Sequence, residues 1–233
     1  MSTQNVWDEK CLFSPSLICL DMLHLADQVQ ILEQNDIKLL HVDIIDGHFS
    51  PSMPLGFETV KQLRKVSNMA FECHVMAENT DYCVDELLTI GVDQIVFHLE
   101  TVKHIDGLLN RIHAAGVRAG VALKPSTSLT TLDYILDKCD AVLLMLINPG
   151  YASNAKESQI PYAEKKIRDL HEMIKTRGLD TKVILDGRIS KENISKYGKD
   201  MADIFVCGTT CVKRDDMCNS LTQLNELRKT IPQ

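Results

Sequence analysis

The chain reads as a single (β/α)8 TIM barrel, an α/β fold, and two observations predict it. Eight short apolar runs alternate with longer amphipathic stretches along the 233 residues. The runs are rich in Val, Ile and Leu, as strands buried on both faces of a parallel sheet are. Eight βα units in about 230 residues also matches the usual length of this barrel, about 250 residues. An open doubly wound sheet is the alternative. The first βα turn has no G-x-G-x-x-G, which counts against it.

The apolar runs lie at 11–20, 38–45, 70–76, 93–99, 117–124, 141–147, 181–186 and 202–207, and each is expected to be a strand. Between them, apolar residues at 22, 23, 25, 29, 31 and 32 repeat near a 3.6 period and predict a helix over 21–34. Helices are also expected over 79–91, 103–116 and 157–178, stopping at Gly91, Gly116 and Gly178. Segments 190–198 and 215–230 complete the helical set. Parallel strands need crossovers, and helices supply them.

Residues 1–10 are polar and read as a loosely ordered extension before one barrel domain over 11–233. They have neither the basic nor the apolar stretch of a signal peptide. No apolar run approaches the roughly 18 residues needed to cross a membrane. The eight cysteines form no C-x-x-C and sit mostly in apolar runs, as buried thiols of a cytoplasmic protein would. A net charge of −7 argues against a general nucleic-acid binder.

The stretch "HVDIIDGHFS" at 41–50 places His41, Asp43, Asp46 and His48 in and just after a predicted strand. Residues i and i+2 of a strand share a face, so His41 and Asp43 point the same way. The barrel lumen is the expected direction. Both lie near the strand's C-terminal end, where barrels of this type keep their active sites. Other strand ends repeat the pattern: His74, His98 with Glu100, Lys124, Asn148 and Asp186. Buried polar groups are costly unless paired, protonated or metal-bound. His41, Asp43, His74 and Asp186 form a set of two imidazoles and two carboxylates. Such a set suits one divalent ion such as Zn, Mn, Fe or Co. Two carboxylates on opposite sides of a ligand also suit acid–base work at a carbon centre.

The segments "SPSLICLD", "HVDIIDGHFSPS", "ECHVMAEN", "VFHLET", "MLINPGY", "VILDGR" and "ADIFVCGTT" follow one another between Ser14 and about Cys211. In this order they resemble the ribulose-phosphate 3-epimerase family. The resemblance implies a barrel of the ribulose-phosphate binding type that interconverts D-ribulose 5-phosphate and D-xylulose 5-phosphate. It implies one divalent metal on His41, Asp43, His74 and Asp186, holding the C2 and C3 oxygens and stabilising an enediolate. Asp43 and Asp186 would be the two acid–base catalysts. Ser16 and His74 would contact substrate, and Met76 and Met145 would surround the reacting carbons. From the residues alone, the two methionines read equally well as core filler. Relatives associate, so a homo-oligomer, a dimer or hexamer, is expected.

The departures fall at the phosphate end. The family usually has Gly-Phe-Gly-Gly where this chain has Gly150-Tyr151-Ala152-Ser153, and Asp-Gly-Gly where it has Asp186-Gly187-Arg188. Glycines let backbone amides approach an anion closely. Arg188 either compensates as a guanidinium on the phosphate or points outward as a solvated charge. Gly208-Thr209 keeps the usual pattern, and Ile45 replaces a third methionine. D-allulose 6-phosphate 3-epimerases are an alternative, because a longer sugar must move its phosphate. A non-catalytic sugar-phosphate binder is a second alternative. A hydrolase or a Schiff-base aldolase using Lys124 is a third.

Overall fold

The computed structural model describes residues 6–152, 154 and 156–231. Its eight strands are β1 (Leu12–Pro15), β2 (Leu39–Ile45), β3 (Ala70–Met76), β4 (Gln94–His98), β5 (Arg118–Leu123), β6 (Ala141–Met145), β7 (Lys182–Asp186) and β8 (Ile204–Cys207). All pairings are parallel, in the order β1-β8-β7-β6-β5-β4-β3-β2. A parallel bridge between Ser16 and His41 joins the two ends into a ring. That closure removes the open-sheet alternative.

The helices are α1 (Leu25–Gln34), α2 (Phe57–Arg64), α3 (Thr80–Ile90), α4 (Ile105–Ala114), α5 (Ala163–Arg177), α6 (Lys191–Tyr197) and α7 (Met217–Lys229). The glycine stops hold: Gly91, Gly116 and Gly178 all take positive φ just past their helices. Several expected bounds change for local reasons. The first strand ends at Pro15, because Leu17 and Leu20, three apart, both turn into the core through a 3-10 turn. α1 starts at Leu25 and not at Asp21, whose carboxylate accepts from the Leu23 N–H and competes with the helix. α5 starts six residues later than expected, since Pro161 disfavours helical backbone at Ile160 before it.

Two crossovers depart from the pattern that the sequence predicts. α2 is eight residues long, and its two buried apolar residues, Val60 and Leu63, give little periodicity to find. Between β5 and β6 the described chain makes two 3-10 turns, Leu129–Leu132 and Leu136–Lys138, in place of an α-helix.

Strand alternation splits the interior in two. Odd positions of β2 (Leu39, His41, Asp43, Ile45) face the lumen. Even ones (Leu40, Val42, Ile44) join the outer layer under the helices. The lower lumen is mainly apolar: Leu12, Leu39, Val96, Leu143, Ile184 and Ile204 pack there with Trp7, beside the buried Glu72 and Gln94. Of the extension expected at 1–10, residues 1–5 lie outside the described ones, and Val6–Asp8 form a 3-10 turn that buries Trp7. The Arg118 guanidinium stacks 4.8 Å from the Trp7 ring. Trp7 therefore closes the end of the lumen opposite the candidate site. Among the described residues no helix is long and apolar enough to cross a membrane.

Replacing Trp7 with alanine should cost about 3 kcal/mol of stability, as expected for removing a large buried aromatic. Denaturant unfolding of the variant checks this, and an unchanged midpoint would show that the lumen does not need its plug.

Candidate metal and active site

The site is built at the C-terminal ends of three strands. β2 turns His41 and Asp43 into the lumen, β3 turns in His74, and β7 turns in Asp186. Register sets their heights: Asp43 lies beside His74, His41 beside Ser16, and Asp186 beside Met145. One ligand atom from each of the four side chains falls within 4.8 Å of every other. His41 Nε2 lies 3.2 Å from Asp43 Oδ1 and 3.8 Å from Asp186 Oδ2. His74 Nδ1 lies 3.5 Å from both carboxylates. His41 and His74 are wholly buried, Asp43 nearly so, and Asp186 is partly open to the cavity above.

Charge balance decides how these groups ionise. Two carboxylate charges about 5 Å apart repel by roughly 3 kcal/mol at an effective dielectric of about 20. An imidazolium 3.5 Å from each attracts by about 5 kcal/mol per contact on the same scale. Burial pushes the Asp43 carboxyl up, but the His41 and His74 rings outweigh it and hold it well below the usual carboxylate range. Burial likewise opposes charge on His41, yet Asp43 and Glu72 raise it well above a free imidazole. His74 is raised against burial by its contacts with Asp186 and Asp43.

The donors fit a divalent cation. His74 Nδ1 is buried, makes no hydrogen bond and faces both carboxylates. Two imidazole nitrogens and two carboxylate oxygens around one point form a nitrogen–oxygen set for a borderline or hard metal. Each ring's other nitrogen is also engaged, as ligating histidines require. His41 Nδ1 meets Glu72 Oε1 at 3.2 Å, and His74 Nε2 meets His98 Nε2 at 3.0 Å. His98 Nδ1 in turn meets Glu100 Oε2 at 3.0 Å. Burial drives His98 down to about 4, and hydrogen bonds from His98 and Thr127 draw Glu100 down to about 2 despite its burial.

Above the cluster lies a cavity of about 260 Å³. Asp43, Asp186 and Ser16 form its polar floor, and the Ser16 hydroxyl donates to Asp43 Oδ2 at 2.6 Å. Met76, Met145, Ile45, Ile147 and Val206 form its apolar wall. Gly150, Ala152, Gly187, Arg188 and Gly208 form its rim. Gly150 has φ +81, and a Cβ there would strike the Ser50 side chain; Gly187 has φ +111, with Ile147 in the way. Arg188 also adopts a positive φ, +52. Its Nη2 donates to the Ala152 and Asn154 carbonyls, and its Nε is buried without a partner.

Other expected residues sit elsewhere. His74 lies level with Asp43 but does not line the cavity, and Thr209 is exposed beside the rim residue Gly208. Ser153 lies outside the described residues. The Lys124 ammonium lies 4.1 Å over the Phe49 ring and lines no part of the cavity, which leaves the Schiff-base reading without support. Asp46 ties down the loop after β2 by accepting from the His48, Phe49 and Glu78 N–H groups, and His48 is exposed. Glu72 escapes the sequence reading, although its place two residues before His74 puts it on the same lumen face. Cys19, Ser52 and Pro54 also line the cavity, from loops that carry no periodicity.

The model of the ribulose-phosphate 3 epimerase family matches residues 12–212. The chain belongs to this family. A ribulose-phosphate 3-epimerase of Methanocaldococcus jannaschii is 36% identical, covering 91% of this chain and 88% of the relative. One of Escherichia coli is 30% identical, covering 94% of this chain and 96% of the relative. Among solved structures, KGPDC from Streptococcus mutans superposes with a TM-score of 0.73 at 13% identity, covering 94% of this chain and 97% of that one. That likeness shows the barrel alone.

In this family member the raised imidazoles of His41 and His74 hold protons that a cation must displace, so affinity should rise with pH. Zinc titration between pH 6 and 8, in two buffers of different ionisation enthalpy, should report proton release. Binding should weaken by up to about tenfold per unit of acidification for each proton displaced. A pH-independent affinity would contradict this ionisation.

Proposed function

We propose that this chain is a metal-dependent 3-epimerase of a phosphorylated ketose, interconverting D-ribulose 5-phosphate and D-xylulose 5-phosphate. The observation that carries this reading is the meeting of Asp43 and Asp186 on the floor of one apolar-walled cavity. They come from strands three steps apart around the ring, through β1 and β8. The relatives' names support the substrate class.

Inversion at C3 needs a proton removed from one face and another returned to the opposite face. One aspartate takes the C3 proton, and the C–H electrons form a C2–C3 double bond as the C2 oxygen gains charge. The other aspartate, protonated, gives its proton to C3 from the far side as the carbonyl re-forms. No electron leaves the sugar, and the two acids exchange protonation states. A divalent cation held by His41, Asp43, His74 and Asp186 supplies Lewis-acid stabilisation of charge on the sugar oxygens. Ser16 fixes the Asp43 carboxylate through its hydrogen bond. Met76 and Met145 keep water from the carbanionic carbon.

The phosphate belongs at the rim, near Gly150, Gly187, Gly208 and Thr209. Arg188 is its charged anchor. A non-glycine residue held at positive φ costs of order 1 kcal/mol, and such strain persists where the surroundings enforce it. Two carbonyls pin one end of the guanidinium, and the buried Nε lacks an acceptor. A phosphate oxygen supplies one. The same rim favours a second reading, epimerisation of D-allulose 6-phosphate, because Ala152, Ser153 and Arg188 stand where the family usually has glycines.

Asp43→Asn and Asp186→Asn should each lower turnover by about 10²–10⁴-fold or more. Each should also abolish solvent deuterium exchange at C3. Side-by-side rates on the pentose and hexose phosphates decide the sugar, and no exchange with either substrate would leave only a binding protein. Arg188→Ala should raise KM by roughly 10–100-fold, the scale of a lost hydrogen bond to a charged group, with a smaller change in kcat. An unchanged KM would remove Arg188 from the phosphate site.

A further inference from the structure

The four ligands and the cavity leave one buried polar chain unused. It runs from Glu100, after β4, through His98 to His74. His74 and His98 are wholly buried, with their rings 5.0 Å apart, and Glu100 is partly open to solvent. We propose that Glu100 and His98 are positioning residues that fix the tautomer of neutral His74, so that Nδ1 is the nitrogen left with a lone pair when a cation displaces the ring's second proton. The proposal rests on His74 being a ligand, and not on which sugar is turned over.

The donors set the order of the chain. Glu100 Oε1 accepts from the Lys124 N–H at 2.8 Å and from the Thr127 hydroxyl. Its Oε2 faces His98 Nδ1 at 3.0 Å and, in an ionised carboxylate, can only accept. His98 Nδ1 must therefore carry the proton. A neutral His98 then presents an unprotonated Nε2. His74 Nε2, 3.0 Å away, must donate into it. A neutral His74 that carries its proton on Nε2 has none on Nδ1. That nitrogen makes no hydrogen bond and faces Asp43 and Asp186. Each step excludes the other tautomer, because the reverse would set two acceptors, or two N–H groups, against each other.

His41 reaches the same state by a shorter route, since its Nδ1 meets the Glu72 carboxylate directly. The two ligand rings are thus set by carboxylates on either side, one in contact and one acting through a neutral imidazole. Outer partners of this kind orient ligands, and their loss typically lowers metal affinity about 10–100-fold.

Glu100→Gln tests this with almost no change in shape. Lys124 N–H and Thr127 O–H fix which end of the new amide is oxygen, because both donate to the Oε1 position. The amide nitrogen then faces His98 Nδ1 and donates to it. His98 must donate from Nε2, and His74 must accept there, placing its proton on Nδ1 where the cation binds. Zinc affinity should fall about 10–100-fold, with the melting temperature of the metal-free protein little changed. Long-range ¹H–¹⁵N spectra give a readout independent of activity and of any variant. In the zinc-loaded wild type, His98 should carry its proton on Nδ1 and His74 on Nε2. In Glu100→Gln, His98 should carry it on Nε2. A wild-type His98 protonated on Nε2, or wild-type zinc affinity in the folded variant, would overturn the relay. A wild type that binds no zinc would overturn the metal site and the relay with it.

Discussion

Two carboxylates from distant parts of the chain share a few ångströms of a barrel lumen whose lower part is packed mainly with apolar side chains. Everything else at the site follows from making that tolerable. The lower lumen, packed mainly with Leu, Ile and Val side chains and closed by Trp7, adds a further acid, Glu72, against His41. Compensation must come from the same layer, and it does: His41 and His74 stand within 3.2–3.5 Å of the two acids. Either two protons on those rings or one divalent cation among them balances the layer. Protonation and metal binding are therefore alternatives at one place.

Parallel strands in a closed ring make this arrangement simple to encode. Every second residue of each strand enters the lumen, and the register between neighbours sets its height. His41 and Asp43 need only be two apart on β2, with His74 level with Asp43 on β3. The loops then add specificity without disturbing the layer beneath. This division explains how the floor can hold a full set of acids and imidazoles. The rim meanwhile trades glycines for Ala152 and Arg188.

The fold and the floor of the site are legible in the sequence because both depend on alternation within strands. The Val- and Ile-rich runs place all eight strands. The spacing of His41 and Asp43, with His74 and Asp186 at other strand ends, places the cluster. Glu72 is equally placed by alternation, but an acid inside an apolar strand signals a role only once its partner ring is known. The features that escape the sequence are set by local competition or by contacts across the chain. Asp21 delays α1 by capping its own turn, Pro161 delays α5, and the β5–β6 crossover forms 3-10 turns. The cavity wall contributed by Cys19, Ser52 and Pro54 comes from loops whose paths follow no period. Whether Arg188 turns inward cannot be read from its neighbours in sequence. Its orientation depends on the Ala152 and Asn154 carbonyls, more than thirty residues away.

The relay through His98 links β4 to a set of candidate ligands that comes from β2, β3 and β7. It extends the control of one metal ligand to Glu100, outside the cavity. The proposed centre of the site is simpler: one cation sits among four side chains and brings both aspartates to the same substrate. A crystal structure of the zinc-loaded protein, with anomalous scattering to locate the metal, tests it most directly. One ion is expected at about 2.0–2.2 Å from His41 Nε2, His74 Nδ1 and an oxygen of each of Asp43 and Asp186. An ion bound elsewhere, or one aspartate turned out of its shell, would contradict it.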